Sequence, residues 1–203
     1  MKKLITVSSV LAVLAASSAY AKTEGSYLGI DFSRSNAESK YKNANGSINT
    51  SLGKFDNTAN GFGLNYKYAY NLGNDLFIAP VLFYDKIGNS NNDRSGDPVT
   101  VNNRYGFKFD VGYDVTDKFA VYFTNGFTKV RYMVDWTNSD SGSKSGTTPM
   151  NYFHGVGASF KLANNILLNA EYNTQHLSFS SPSQGITART KLDVMKVGLS
   201  YSF

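Results

Sequence analysis

Arg104-Tyr105-Gly106-Phe107-Lys108-Phe109-Asp110-Val111-Gly112-Tyr113 decides the fold. Tyr105, Phe107, Phe109, Val111 and Tyr113 take every second position, and glycine or a charged residue stands between them. Successive side chains of a strand point to opposite faces. The stretch therefore predicts a strand with one aromatic face and one charged or bare face. A soluble sheet seldom sets so many rings opposite ions and glycine. A strand with lipid on one side and a polar interior on the other does so routinely.

The same period of two recurs on both sides of this segment. Phe62, Leu64, Tyr66, Tyr68 and Tyr70 alternate with Gly63, Asn65, Lys67 and Ala69 over about 59–71. Further strands are expected near 26–34, 118–132, 151–162, 166–179 and 190–203. A strand over 76–87 is apolar on both faces and contains Pro80, so its facing stays open and a bulge or a rim position is expected there. The strand over 118–132 loses its alternation after Gly126, where a second bulge is expected. The count is eight strands.

The connections sort by length. Residues 72–75, 116–117 and 163–165 are short and carry Asn, Asp, Gly or Thr turn chemistry. Residues 35–58, 88–103, 135–150 and 180–189 are long and rich in Ser, Asn, Gly and Lys. Strict alternation of short and long is the topology rule of outer-membrane barrels, with short turns in the periplasm and long loops outside. The predicted fold is thus all-β, an eight-stranded antiparallel up-and-down transmembrane β-barrel.

The N-terminus agrees. Lys2 and Lys3 precede an apolar run of about 13 residues from Leu4 to Ala16, too short to span a bilayer as a helix. Ser17-Ser18-Ala19-Tyr20-Ala21 follows. This is the pattern of a secretory signal peptide over 1–21, cut between Ala21 and Lys22, with the barrel over 22–203. Cleavage lowers the formal charge from +5 to +3 through loss of Lys2 and Lys3, too mild and dispersed a charge for nucleic-acid binding. Cysteine is absent from the chain, so neither disulfides nor thiolate metal sites are expected. No metal or other cofactor is expected.

The chain ends Lys196-Val197-Gly198-Leu199-Ser200-Tyr201-Ser202-Phe203. A terminal Phe203 with Tyr201 and Leu199 before it resembles the C-terminal signature of bacterial outer-membrane proteins. That resemblance implies recognition by the barrel-assembly machinery. An apolar stripe on a terminal strand also suits strand addition. As architecture, residues 22–203 resemble the small OmpA transmembrane-domain, OmpX and Opa-like barrels, and the composition resembles alphaproteobacterial, rickettsial-type surface antigens. The OmpA periplasmic peptidoglycan-binding domain is expected to be absent. The resemblance implies a bacterial outer-membrane location, reached through the periplasm, with outer-membrane lipid as a partner.

Three functions are open to such a barrel. Asp31, Asn65, Lys67, Lys108, Asp110, Lys161, Glu171 and Lys196 are expected to face inward, where mixed charges can pair and fill the interior. The first function is a surface structural or interaction role, adhesin- or antigen-like, carried by four loops. Lys40, Tyr41, Lys42, Arg94, Trp136 and Lys144 are its candidates for contact with a host or extracellular ligand. A small ion-conducting pore would use the same inward residues. The third is a lipid A-modifying hydrolase. His176 and Ser178 share a strand face, and a hairpin centred near 184–185 would set Asp193 opposite His176, bringing a Ser–His–Asp set together. A His-x-Ser pair is similar to that of outer-membrane lipid A deacylases. No oxyanion donor is evident near it, His154 has still less support, and the chain is expected not to be an enzyme. Deleting Phe203 is expected to lower the yield of heat-modifiable, membrane-inserted protein more than it alters strand content. Equal insertion with and without Phe203, read on unheated gels of membrane fractions, would refute the assembly role.

Overall fold

In the computed structural model the alternating segments are strands, and almost nothing else is present among the described residues, which are 24–43, 54–88, 99–135, 143–181 and 186–203. The strands are β1 (Gly25–Asn43), β2 (Lys54–Gly73), β3 (Leu76–Ile87), β4 (Val99–Asp114), β5 (Phe119–Asp135), β6 (Ser143–Thr147), β7 (Asn151–Ala163), β8 (Ile166–Ser181) and β9 (Ile186–Ser202). Every pairing is antiparallel. Sequence neighbours pair, and β9 pairs back onto β1, so the sheet closes. The short β6 and the longer β7 both pair with β5 and form one interrupted stave. The architecture is a closed barrel of eight staves. The signal segment 1–21, with Ala21 and Lys22, lies outside the described residues.

The register fixes the barrel's shape. From Leu76 on β3, direct partners run through Tyr113, Val121, Ala158, Ala170, Val197, Phe32 and Phe62. The path returns to β3 at Lys86, ten residues further along. A stagger of ten over eight strands tilts them by roughly 40°. On β3 the outward residues span the ten residue steps from Leu76 to Lys86, and at about 3.3 Å per residue, so tilted, they rise about 25 Å. That is the height of the apolar band of outer-membrane barrels. The outward residues match it: Leu28, Ile30, Phe32, Phe62, Leu64 and Leu82 are 53–63% exposed. The rings of Phe107 and Phe127 lie 5.8 Å apart on this outer face.

Turn chemistry closes the periplasmic end. Gly73, Asn74 and Asp75 all have positive φ, at 85°, 52° and 62°. Gly, Asn and Asp are the residues that adopt this conformation at least cost. Asn71 Oδ1 accepts from the Gly73 N–H at 2.8 Å and holds the turn. At the next turn, Thr116 Oγ1 accepts from the Phe119 N–H at 3.0 Å.

Several details differ from the sequence expectation. Residues 35–43 and 54–58, expected as loop, are paired strand in one unbroken register from Gly25↔Ala69 to Lys40↔Lys54. These strand segments continue above the bilayer, where an outward face needs no apolar residue. Nor is there a bulge at Pro80. β3 pairs with β4 straight through Pro80↔Phe109. On the other side the ladder goes from Lys67↔Val81 to Tyr70↔Ile78 without a change of register. Proline removes one donor there and leaves the strand straight. The facing of β3 is now fixed: Phe77, Ala79, Val81, Phe83, Asp85 and Ile87 are buried inside. β5 has no bulge after Gly126 either. The irregularities lie in its partners, between Val101 and Asn103 on β4 and between β6 and β7 around Pro149. At that second break the Val130 N–H is accepted by Thr148 Oγ1 at 3.0 Å.

Leu199 lies near mid-height of the band, about halfway between its two edges in the staggered register. Leu199→Arg is expected to destabilise by about 2–4 kcal/mol, and Tyr84→Arg near the outer edge by about 0–1 kcal/mol. Equilibrium unfolding in lipid vesicles measures both. Equal costs at the two positions would refute the depth assignment.

Candidate functional site

The inward face of a strand this narrowly enclosed has room for side chains and little else. Four acids, Asp31, Asp85, Asp110 and Glu171, and four bases, Lys67, Arg104, Lys108 and Lys196, project into the middle of the lumen, with Asp114 and Lys161 on the same inner face toward the periplasmic rim. The signs balance, which a dry interior demands, since an unpaired buried charge costs several kcal/mol.

All of these central groups but Lys67 form one connected network. Arg104 Nε donates to Asp85 Oδ2 at 2.7 Å, and Lys196 Nζ donates to Asp85 Oδ1 at 2.6 Å. Lys196 Nζ also lies 3.8 Å from Asp31, which accepts from Asn65 Nδ2 at 2.8 Å. Arg104 Nη1 donates to Asn173 Oδ1 at 2.9 Å, and Asn173 Nδ2 donates to Glu171 Oε1 at 2.9 Å. Glu171 accepts from Lys108 and from the Tyr122 hydroxyl, the latter at 3.3 Å. Lys108 Nζ stands 3.2 Å from Asp110. Lys67 Nζ sits 5.0 Å from the centre of the Tyr27 ring. Seven of the eight staves contribute to this network. Asp85 and Arg104 are both 0% exposed. Inward glycines make the room: a Cβ at Gly63 or Gly198 would run into the carboxylate of Asp85 or Asp31.

Apolar clusters close the network at both ends. Toward the periplasm stand Tyr27, Ala69, Phe77, Ala79, Ala120, Tyr122 and Leu167. Toward the outside stand Ile87, Val101, Val130, Leu177, Leu192 and Val194. Val101 reaches that cluster because the bulge at Asn102 turns it inward together with Arg104. The guanidinium of Arg104 lies 5.6 and 5.7 Å from the ring centres of buried Phe83 and Phe153. The cavity left between the charges offers water-sized molecules about 30 Å³, room for roughly two waters.

The structure places the sequence-derived residues as follows. Asp31, Asn65, Lys67, Lys108, Asp110, Glu171 and Lys196 line the cavity. Lys161 is half-buried on the same inner face at the periplasmic rim, opposite Leu167. Sequence reasoning missed Asp85, Arg104, Asn173 and Tyr122. Strict parity would have found Arg104, two residues from inward Gly106. Asp85 was hidden because β3 is apolar on both faces.

The hydrolase set does not assemble. His176, Ser178 and Asp193 share the outer face, but the β8–β9 register pairs Asp193 with Thr174, and His176 with Lys191. The pairing is offset by two residues from the expected Asp193↔His176. Asp193 instead accepts from Lys191 Nζ at 2.8 Å. Arg94 and Trp136 lie outside the described residues, as do the side chains of Lys40, Tyr41, Lys42 and Lys144.

Among the described residues no group of His, Cys, Asp and Glu is arranged to hold a metal ion. Asp85→Ala would leave both Arg104 and Lys196 without their shared acceptor. The expected loss is about 3–5 kcal/mol, with a smaller effect of Asp85→Ala in an Arg104→Met background. Unfolding in detergent micelles measures the coupling, and additive losses would refute the network.

Comparison with known proteins places this architecture. The model of the outer membrane protein beta-barrel domain family matches residues 6–203. Comparison with curated proteins gives no match. Among solved structures, OprG from Pseudomonas aeruginosa is 14% identical with a TM-score of 0.51, covering 90% of this chain and 98% of that one. Ail, the attachment invasion locus protein of Yersinia pestis, is 18% identical with a TM-score of 0.48, covering 89% and 100%. Neisserial surface protein A is 17% identical with a TM-score of 0.45, covering 86% and 97%. The likeness to OprG is one of fold. With its closed eight-stave barrel and its apolar band, the chain belongs to the outer membrane protein beta-barrel domain family and resides in the bacterial outer membrane.

Proposed function

We propose that the protein is a non-conducting scaffold that presents its outer hairpins at the cell surface, in a structural or interaction role. The observation that carries this reading is the filled lumen. A pore needs a continuous wet path, whereas here balanced ion pairs occupy the middle and apolar clusters stand above and below them. Ions crossing such a layer would have to break Arg104–Asp85 and Lys196–Asp85 together. Loops on a rigid frame commonly carry binding, and the frame here is rigid by virtue of its closure. In the sequence, residues 40–42, Arg94, Trp136 and Lys144 are the aromatic and cationic candidates for contact. The register gives no support to an enzyme built on Ser178.

Refolded protein in planar bilayers is expected to show no unitary conductance steps at neutral pH. Stable, reproducible steps whose size scales with salt would replace this reading with that of a small pore.

A further inference from the structure

The outer edge of the apolar band is asymmetric. On five consecutive strands the outward residue at that edge is Arg34, Asn60, Lys86, Asn103 or Lys129, with Arg131 two residues above the last. The register sets them side by side: Arg34↔Asn60, Lys86↔Asn103 and Asn103↔Arg131 are direct partners. Every member donates hydrogen bonds. Two residues nearer the membrane on the same five strands stands an aromatic ring: Phe32, Phe62, Tyr84, Tyr105 and Phe127. β9 breaks the pattern, since it offers Asp193 at this height and ties it to Lys191 at 2.8 Å.

Arg34, Lys86, Lys129 and Arg131 are exposed. Among the described residues none of them meets a carboxylate within ion-pair distance. Unpaired cations at a bilayer edge face the headgroup layer, and what they lack is an anion. Strands lie about 4.8 Å apart, so cations on alternate strands stand about 10 Å from one another with an asparagine amide between them. The rings beneath offer flat apolar surface at the depth where acyl chains begin.

We propose that the β1–β5 side of the outer edge binds the phosphate groups of an anionic membrane lipid, whose chains lie on the aromatic row below. The cations and amides hold the phosphate. The rings exclude water from one side of the contact. The site is one-sided, so bound lipid gathers on β1–β5 and not on β7–β9.

The test uses the full chain refolded in phosphatidylcholine nanodiscs that carry a small fraction of diphosphorylated lipid A, with native mass spectrometry reading the lipid retained. Retention of the diphosphorylated form is expected, and retention of the dephosphorylated form is not. Lys86→Gln and Lys129→Gln should each lower retention about fivefold, the effect of one charge near an anionic surface. Lys86→Arg and Lys129→Arg should restore it, and Lys191→Gln on β9 should leave it unchanged. Heat-modifiable migration reports folding for each variant. Equal retention of the dephosphorylated lipid would overturn the proposal, as would indifference to the Gln variants. Inorganic phosphate that displaces the lipid would show a free-anion site and overturn the assignment to lipid.

Discussion

Within a bilayer each backbone N–H and C=O must find its partner in the protein itself. Here that condition rests on β1 meeting β9, from Tyr27↔Ser202 to Asn43↔Ile186. Without this seam two strand edges would face hydrocarbon with every other donor and acceptor unpaired. With it, strand number and stagger are set, and they set the width of the lumen. A lumen of that width admits one layer of long side chains meeting across the axis. Asp85 then lies within reach of Arg104 and Lys196, although these come from three different strands. Backbone closure is therefore the cause, and the ion-pair network is what closure makes possible.

The network's stability depends on how its donors and acceptors are partnered rather than on the number of its charges. Buried pairs repay their desolvation only when each remaining donor and acceptor is also satisfied. Asn173 meets that condition for Arg104 and Glu171, accepting from the first and donating to the second. It joins two clusters that would otherwise each end in an unfilled position. The apolar layers at either end lower the local dielectric and make the same pairs stronger and their disruption more costly.

Much of this was legible in the sequence because lipid imposes a strict alternation. In Phe107-Lys108-Phe109-Asp110 each parity has one meaning, and the structure puts the rings outside and the ions inside. Legibility ended where one side lost its meaning. On β3 both faces are apolar, because the inner face of Phe77, Ala79 and Val81 belongs to the periplasmic apolar layer and its surroundings, and Asp85 vanished with it. Above the bilayer the outer face may be polar or not, so strands such as β1 beyond Arg34 read as loop. Register was the other gap. Alternation tells which face a residue takes and is silent on which residue it opposes, and an error of two along β9 was enough to misplace Asp193.

The length of strand above the band has a mechanical meaning of its own. From Arg34 at the band edge β1 continues to Asn43, paired throughout with β9. Nine residues at about 3.3 Å, tilted by roughly 40°, lift the strand end about 20 Å clear of the bilayer. On this side the barrel thus ends in a stiff paired extension, and the extension separates reach from anchorage. Anchorage depends on the outward residues of the band, reach on how far the ladder continues past it. Shortening two paired strands together by two residues would lower their hairpin by about 5 Å and leave each lipid contact in place, so the stand-off of the protein's outer surface is a quantity that evolution can tune independently of the membrane.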